Sequence, residues 1–322
     1  KQKPVIGHVI SGEVVQRLIT KMSTDQRVTV GTAWGGSDWG IHVSSDVNYT
    51  LDKDANGDND ATMGIYEAYA STDLMGYASL TVGRQALNYG SGALLSSNDW
   101  GASRTTWDGM TFGLNLDMAD VTVGYHGQNV GGENDETNGS MWLNVGGEFS
   151  GWNVNLVYMT QEIDGESGDA ATGIDVSGEV AGAGIMASMN TDYEGDEMRV
   201  IGLTYAVNDD MGVNVSQTVY GEDGDGDGFR MPGTNMDGSW METGNLGYLN
   251  NGDEMLSYGL TYKMSGIHLG ATMHNVTNAD ESERDITEIS LGYSLNDNAG
   301  LSLSMVDDAD TKYMWLTLNV GL

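Results

Sequence analysis

Cysteine is absent from this 322-residue chain, so neither a disulfide framework nor a thiolate metal site is available to it. Proline occurs twice against 47 glycines, which separates the glycines from any Pro-rich disordered linker. Lysine and arginine together number 13 against 47 aspartates and glutamates, a formal net charge of −34. That balance excludes nucleic-acid partners, because phosphate binding needs clustered basic residues. Long apolar runs are missing as well. No window approaches the roughly 18 unbroken apolar residues of a membrane helix. A helical membrane protein is excluded, whereas a barrel stays open, since barrel strands are apolar on one face only. Neither a Gly-x-Ser-x-Gly elbow, an HExxH pair nor a phosphate loop occurs in the sequence, and no enzyme activity is expected. The chain starts at Lys1 without a methionine or an apolar leader. It reads as a mature protein whose targeting peptide has been removed.

What the chain does have is alternation. Ile267, Leu269, Ala271 and Met273 are apolar, with His268, Gly270, Thr272 and His274 between them. The same period recurs in Leu256/Tyr258/Leu260, Met314/Leu316/Leu318/Val320 and Trp152/Val154/Leu156/Tyr158, and it is the period of half-buried strands. The links between these segments sort by length. Short links fall at 35–38, 73–76, 117–120, 150–151, 181, 208–210, 264–266 and 296–298. Longer ones lie between them, at 21–26, 52–61, 87–105, 128–138, 162–171, 191–197, 221–254, 277–285 and 307–310. Short turns at one end and longer loops at the other mark an outer-membrane barrel; a soluble sandwich does not sort its loops this way. Counting segments predicts a single all-β transmembrane antiparallel barrel over residues 1–322, of about 18 strands with 16 as the alternative. The first strand, near 5–20, is the weakest, because Val14-Val15 and Leu18-Ile19 break the alternation. Most of the acidic residues fall in the longer, extracellular loops. Tyr158, Tyr205, Tyr262 and Tyr293 lie near segment ends on apolar faces, where an interfacial girdle is expected.

One stretch is more specific. Gly83-Arg84-Gln85-Ala86-Leu87-Asn88-Tyr89-Gly90 is followed by Leu94-Leu95, Asp99-Trp100, Arg104-Thr105-Thr106-Trp107-Asp108-Gly109, and preceded by Glu67-Ala68-Tyr69. Over residues 65–114 it resembles the signature of the alginate-export-type porin family, with one extra residue between Arg104 and Asp108. The resemblance implies a monomer rather than a trimer, in the outer membrane of a Gram-negative bacterium, passing small or anionic solutes. The 87–105 loop, apolar and aromatic where its neighbours are acidic, is expected to fold inward as a constriction. Arg84, Tyr89, Asp99, Trp100, Arg104, Asp108 and Lys263 are the pore candidates, with Arg84 and Arg104 paired to Asp99 or Asp108. Arg84 shares parity with Ala78, Leu80 and Val82. It therefore needs a bulge at Gly83 to point inward, or else lies at the outer rim.

Two loops carry the D-x-[DN]-x-[DN]-G pattern of calcium ligands: Asp52, Asp54, Asn56 and Asp58, with Asp60 beside them, and Asp223, Asp225 and Asp227. Both lack a glutamate at the twelfth position, so any Ca²⁺ is expected to bind weakly at the outer surface, and no cofactor is required. His268 and His274 share one polar face but stand too far apart to chelate one ion alone, and they read as lumen residues. The expected partners are the lipid bilayer, lipopolysaccharide and small hydrophilic solutes. The expected function is passive diffusion, with the acidic rim favouring cations. The alternatives are a channel for anionic saccharides or acidic solutes, using Arg84 and Arg104 as a clamp, and a structural or adhesive barrel plugged by 221–254.

Overall fold

The computed structural model describes residues 7–19, 24–50, 61–97, 104–129, 137–163, 166–222, 227–230, 249–308 and 311–321. Eighteen strands account for most of them: β1 (Gly7–Ile19), β2 (Thr24–Gly35), β3 (Trp39–Thr50), β4 (Ala61–Leu74), β5 (Ala78–Gln85), β6 (Trp107–Leu116), β7 (Ala119–Asn129), β8 (Thr137–Phe149) and β9 (Trp152–Ile163) form the first half. The second half is β10 (Glu166–Val180), β11 (Ala183–Thr191), β12 (Glu197–Ala206), β13 (Met211–Tyr220), β14 (Glu254–Met264), β15 (Ile267–Thr277), β16 (Glu283–Asn296), β17 (Ala299–Asp308) and β18 (Thr311–Gly321). Each strand pairs antiparallel with the next, and β1 pairs with β18 as well as with β2. The sheet is therefore closed, and every strand edge is used. The 16-strand alternative fails because β1 forms despite its irregular alternation. Its backbone closes the ring with a register from Ser11↔Gly321 to Ile19↔Tyr313.

Parity decides the two faces. Val30, Ile41, Val43, Met110, Ile201, Leu260 and Ile289 are exposed on the outside of the ring, an arrangement that only a surrounding hydrocarbon phase stabilises. Trp34, Trp39, Phe149, Tyr205 and Tyr293 sit on the same face beside the short turns, and Tyr125, Tyr158 and Tyr258 lie nearer the other end. The hairpins Ser150-Gly151, Ala181-Gly182 and Ser265-Gly266 have positive φ at both positions. Two-residue turns of that hand match the twist of the flanking strands, and this keeps that end of the ring short. At the opposite end the expected 162–171 loop is mostly strand, since β9 runs to Ile163 and β10 starts at Glu166. Charged residues do not stop a hairpin that has risen beyond the lipid and is wet on both faces.

The inner wall is polar through most of its height but turns apolar near the long-loop end. There Val157, Met159, Ala171, Met198, Tyr220, Met255, Val276, Ile286 and Val306 are buried on the inward parity, together with Leu87, Leu94, Leu95, Phe229 and Leu249 from the loops. Burying such side chains stabilises by roughly 1.5–3 kcal/mol each. The core of this protein thus sits inside one mouth of the barrel, built by loops that fold onto the wall.

Candidate functional site

The β5–β6 loop, 86–106, is fastened at three places. Its first root depends on a register shift between β3 and β4: Ser44 pairs with Glu67 and Ser45 with Ile65, leaving Tyr66 as the extra residue. A bulge of this kind breaks alternation, so Tyr66 and Glu67 both face inward. Glu67 accepts the Ala86 N–H at 3.2 Å and stands 3.3 Å from His42. At the second root Arg104 donates to Asp46 Oδ2 at 3.0 Å and to Thr29 Oγ1 at 3.0 Å, while its guanidinium lies 3.2 Å above the Tyr66 ring. Arg104 and Asp46 are 7 % and 10 % exposed, and removing either member of so buried a pair costs about 3–5 kcal/mol.

The tip crosses to a different part of the wall. Ser91 N donates to Asp175 Oδ2 of β10 at 2.9 Å, and Ser188 Oγ of β11 donates to Ser91 Oγ at 3.3 Å. Gly90 has φ +57, and a Cβ there would lie 1.9 Å from Asp175 Oδ2; only glycine lets the tip approach this closely. Between tip and roots, Asn88 and Ser97 close the loop on itself, Ser97 N donating to Asn88 Oδ1 at 3.0 Å. Leu94 and Leu95 are buried, as are Trp107 and Trp142, whose rings meet edge to face. Burial also pushes the Tyr89 phenol up. The loop therefore reaches from β2 and β3, past its own strands, to β10 and β11 along the inside of the ring.

The pore candidates separate. Tyr89 and Arg104 belong to this inward assembly. Arg84 and Asp108 do not: they are cross-strand partners, Arg84 Nε donating to Asp108 Oδ1 at 2.7 Å. Both share parity with the exposed Val82 and Met110. No register shift occurs at Gly83, so Arg84 keeps the outward parity and lies at the outer rim. Arg104 takes Asp46 as its partner, which corrects the expected pairing to Asp99 or Asp108 for this residue. Lys263 is on the inward parity of β14 beside the 265–266 turn, at the opposite end from the loop. Asp99 and Trp100 lie outside the described residues, as do Asp52, Asp54, Asn56, Asp58, Asp60, Asp223 and Asp225. Asp227 is exposed, and its carbonyl accepts the Asn251 N–H at 3.3 Å. Among the described residues no group of three or more His, Asp or Glu is arranged to hold a metal ion.

Three loop carboxylates that composition alone assigns to a solvated rim are buried instead. Asp192 accepts from the backbone N–H of Glu194, Asp196 and Arg230, and burial still raises it above the ordinary aspartate range. Asp196 accepts from Asn251 Nδ2 and Gly228 N. Asp253 accepts from Asn250 N and Ala279 N. These bonds tie the described parts of the β13–β14 loop, 221–253, to the loops on either side. The sequence reading did not single out Asp46, Tyr66, Asp175 or the Asp192–Asp196–Asp253 clasp. A carboxylate amid the polar face of a membrane strand, as at Asp46 and Asp175, was the available signal.

No family model matches the chain, and no curated protein matches it. Solved structures do. Pseudomonas aeruginosa OccD3 (OpdP) superposes with a TM-score of 0.69 at 11 % identity, over 100 % of this chain and 93 % of that one. P. aeruginosa OccK1 (OpdK) gives 0.70 at 12 % identity over 98 % and 97 %. Acinetobacter baumannii OccAB4 gives 0.65 at 10 % over 98 % and 97 %. The fold is that of the Occ/Opd outer-membrane barrels. The alginate-export type, to which residues 65–114 bear a resemblance, finds no support in these comparisons.

Proposed function

We propose that this chain is an outer-membrane porin that passes small hydrophilic solutes by diffusion through a lumen narrowed by the 86–106 loop. The observation that carries the reading is the loop itself, tied at both roots and at its tip to the inner wall of a closed ring. A barrel of this width encloses an aqueous lumen unless loops fill it. On the inward parity of the described strands, Asp46, Glu67, Glu148, Asp175, Glu179, Glu288 and Asp308 outnumber Arg27, Lys263 and Arg284, even with Arg104 of the loop added to the basic side. That wall favours cations over anions. The clamp for anionic saccharides has less behind it, since Arg84 faces outward and Arg104 is committed to Asp46. The reading includes a monomer seated among lipopolysaccharide, and weak Ca²⁺ binding at the acidic outer loops.

Reversal potentials across a planar bilayer test it. Cation preference is expected at 0.1 M salt, fading towards 1 M as the screening length falls from about 10 Å to about 3 Å. Anion preference at low salt, or a barrel without conductance, overturns the proposal.

A further inference from the structure

His274 stands on the inward parity of β15, directly opposite Ser257 of β14. Its Nδ1 lies 2.7 Å from Ser257 Oγ, a contact that fixes the plane of the ring. Its Nε2 is turned towards Glu288 of β16, 3.5 Å from Oε2, and is buried with no hydrogen-bond partner among the described residues. Glu288 Oε1 is likewise buried and without a hydrogen-bond partner among the described residues. The two side chains are only 7 % and 14 % exposed. A carboxylate so placed is costly unless something positive meets it.

From these contacts we infer that His274 Nε2 and Glu288 form a site for a divalent first-row transition-metal ion, of which zinc is the probe. The spacing carries the argument. Metal–nitrogen and metal–oxygen bonds of roughly 2.1 Å spanning this gap set an angle of about 113° at the ion, close to tetrahedral. Ser257 acts as the positioning partner on the far ring nitrogen, a common arrangement for metal-bound imidazole. An imidazole in the donor set selects against calcium and magnesium. The charges nearby agree: Arg284 is matched by Asp308 at 3.7 Å, and among the described residues the ion-pair partner of Glu288 is His274. His268, also inward on β15, pairs in register with Lys263, whose charge opposes a cation there. Two protein donors make a weak site, completed by water. Weak binding suits a station from which an ion must leave again. That transport role rests on the porin reading; the binding does not.

The test is zinc titrated calorimetrically into the full chain in detergent, in a His42→Gln background so that the contact between His42 and Glu67 does not report. One saturable site is expected. His274→Gln and Glu288→Gln each weaken it by about tenfold or more, Ser257→Ala weakens it less, and His268→Gln leaves it unchanged. Cobalt(II) added to the same background protein gives the visible absorption of a near-tetrahedral site, a readout that needs no further variant. Zinc affinity in the His274→Gln or Glu288→Gln protein equal to that of the background protein, or no saturable binding in the background protein, overturns the site and leaves an ion pair alone. Because no current is measured, failure here is distinct from failure of the porin reading.

Discussion

Replacing Gly90 by alanine separates the tip of the inward loop from its body. The left-handed backbone at φ +57 costs a non-glycine residue roughly 1–2 kcal/mol. The new Cβ also falls 1.9 Å from Asp175 Oδ2 and 2.7 Å from Asn155 Nδ2, so either the tip lifts or the Asp175 carboxylate turns away. Either movement breaks the bond from Ser91 N to the carboxylate, and a hydrogen bond to a charged group is worth about 1.5–3 kcal/mol. Together these terms come to about 2.5–5 kcal/mol against the docked tip. The body of the loop is held by Leu87, Leu94 and Leu95, all buried, at roughly 1.5–3 kcal/mol each. The tip detaches and the body stays. Even the lower figure raises the detached population by about 60-fold. Single-channel recording at constant voltage should then show a marked rise in open-channel noise, while the folded barrel keeps its heat-modifiable migration on a gel. Asp175→Asn should give a milder version, because the amide oxygen still accepts. A Gly90→Ala channel as quiet as the parent, with the same mean current, refutes the placement of this tip in the conduction path.

Three further outcomes are expected. Ser91→Cys with Ser188→Cys places two thiols where the hydroxyls now lie 3.3 Å apart, in a chain without native cysteine. Oxidation should lock the tip and abolish the excess noise of Asp175→Asn, and a reductant should restore it. Arg104→Ala strands the buried Asp46 carboxylate and should cost about 3–5 kcal/mol, read as protease cleavage within 86–106, whereas Arg104→Gln with Asp46→Asn should be cut less. The Ser282 hydroxyl and N–H hold the Asp280 carboxyl below the usual carboxylate range. Its contribution to the 278–282 turn is present above the unfolded-state pKa and lost as pH falls through the lower folded value. An NMR titration in which Asp280 protonates at an ordinary aspartate pH counts against those bonds.

Much of the fold was legible because one physical demand repeats in every strand. Leu256, Tyr258 and Leu260 must be apolar where they meet lipid, and Ser257 and Gly259 need not be. The eight short turns were legible for the same reason, since a brief interruption between two alternating runs has little room for error. What stayed hidden arises where that demand lapses. Above the lipid, alternation no longer separates oil from water, so Met255, Val276 and Ile286 serve a core inside the mouth that no periodicity announces. The bulge at Tyr66 is equally silent, because an extra residue in one strand shows only against the register of its neighbour. Arg84 illustrates the converse: its parity with Val82 was plain in the sequence, and the geometry follows it. Asp46 as partner of Arg104 joins residues 58 positions apart, a distance over which spacing carries no information.

The pairing of β1 with β18 makes the seam between the first and last strands one ladder among eighteen, indistinguishable in kind from the rest. Nothing in the ring marks where the polypeptide is cut. A circular permutant that joins the two old ends and opens at the 117–118 turn should assemble into the same cylinder, whereas deleting β18 leaves two raw edges facing each other across a gap. Such a chain has no partial product to fall back on; the cylinder forms whole, or its free edges recruit other chains.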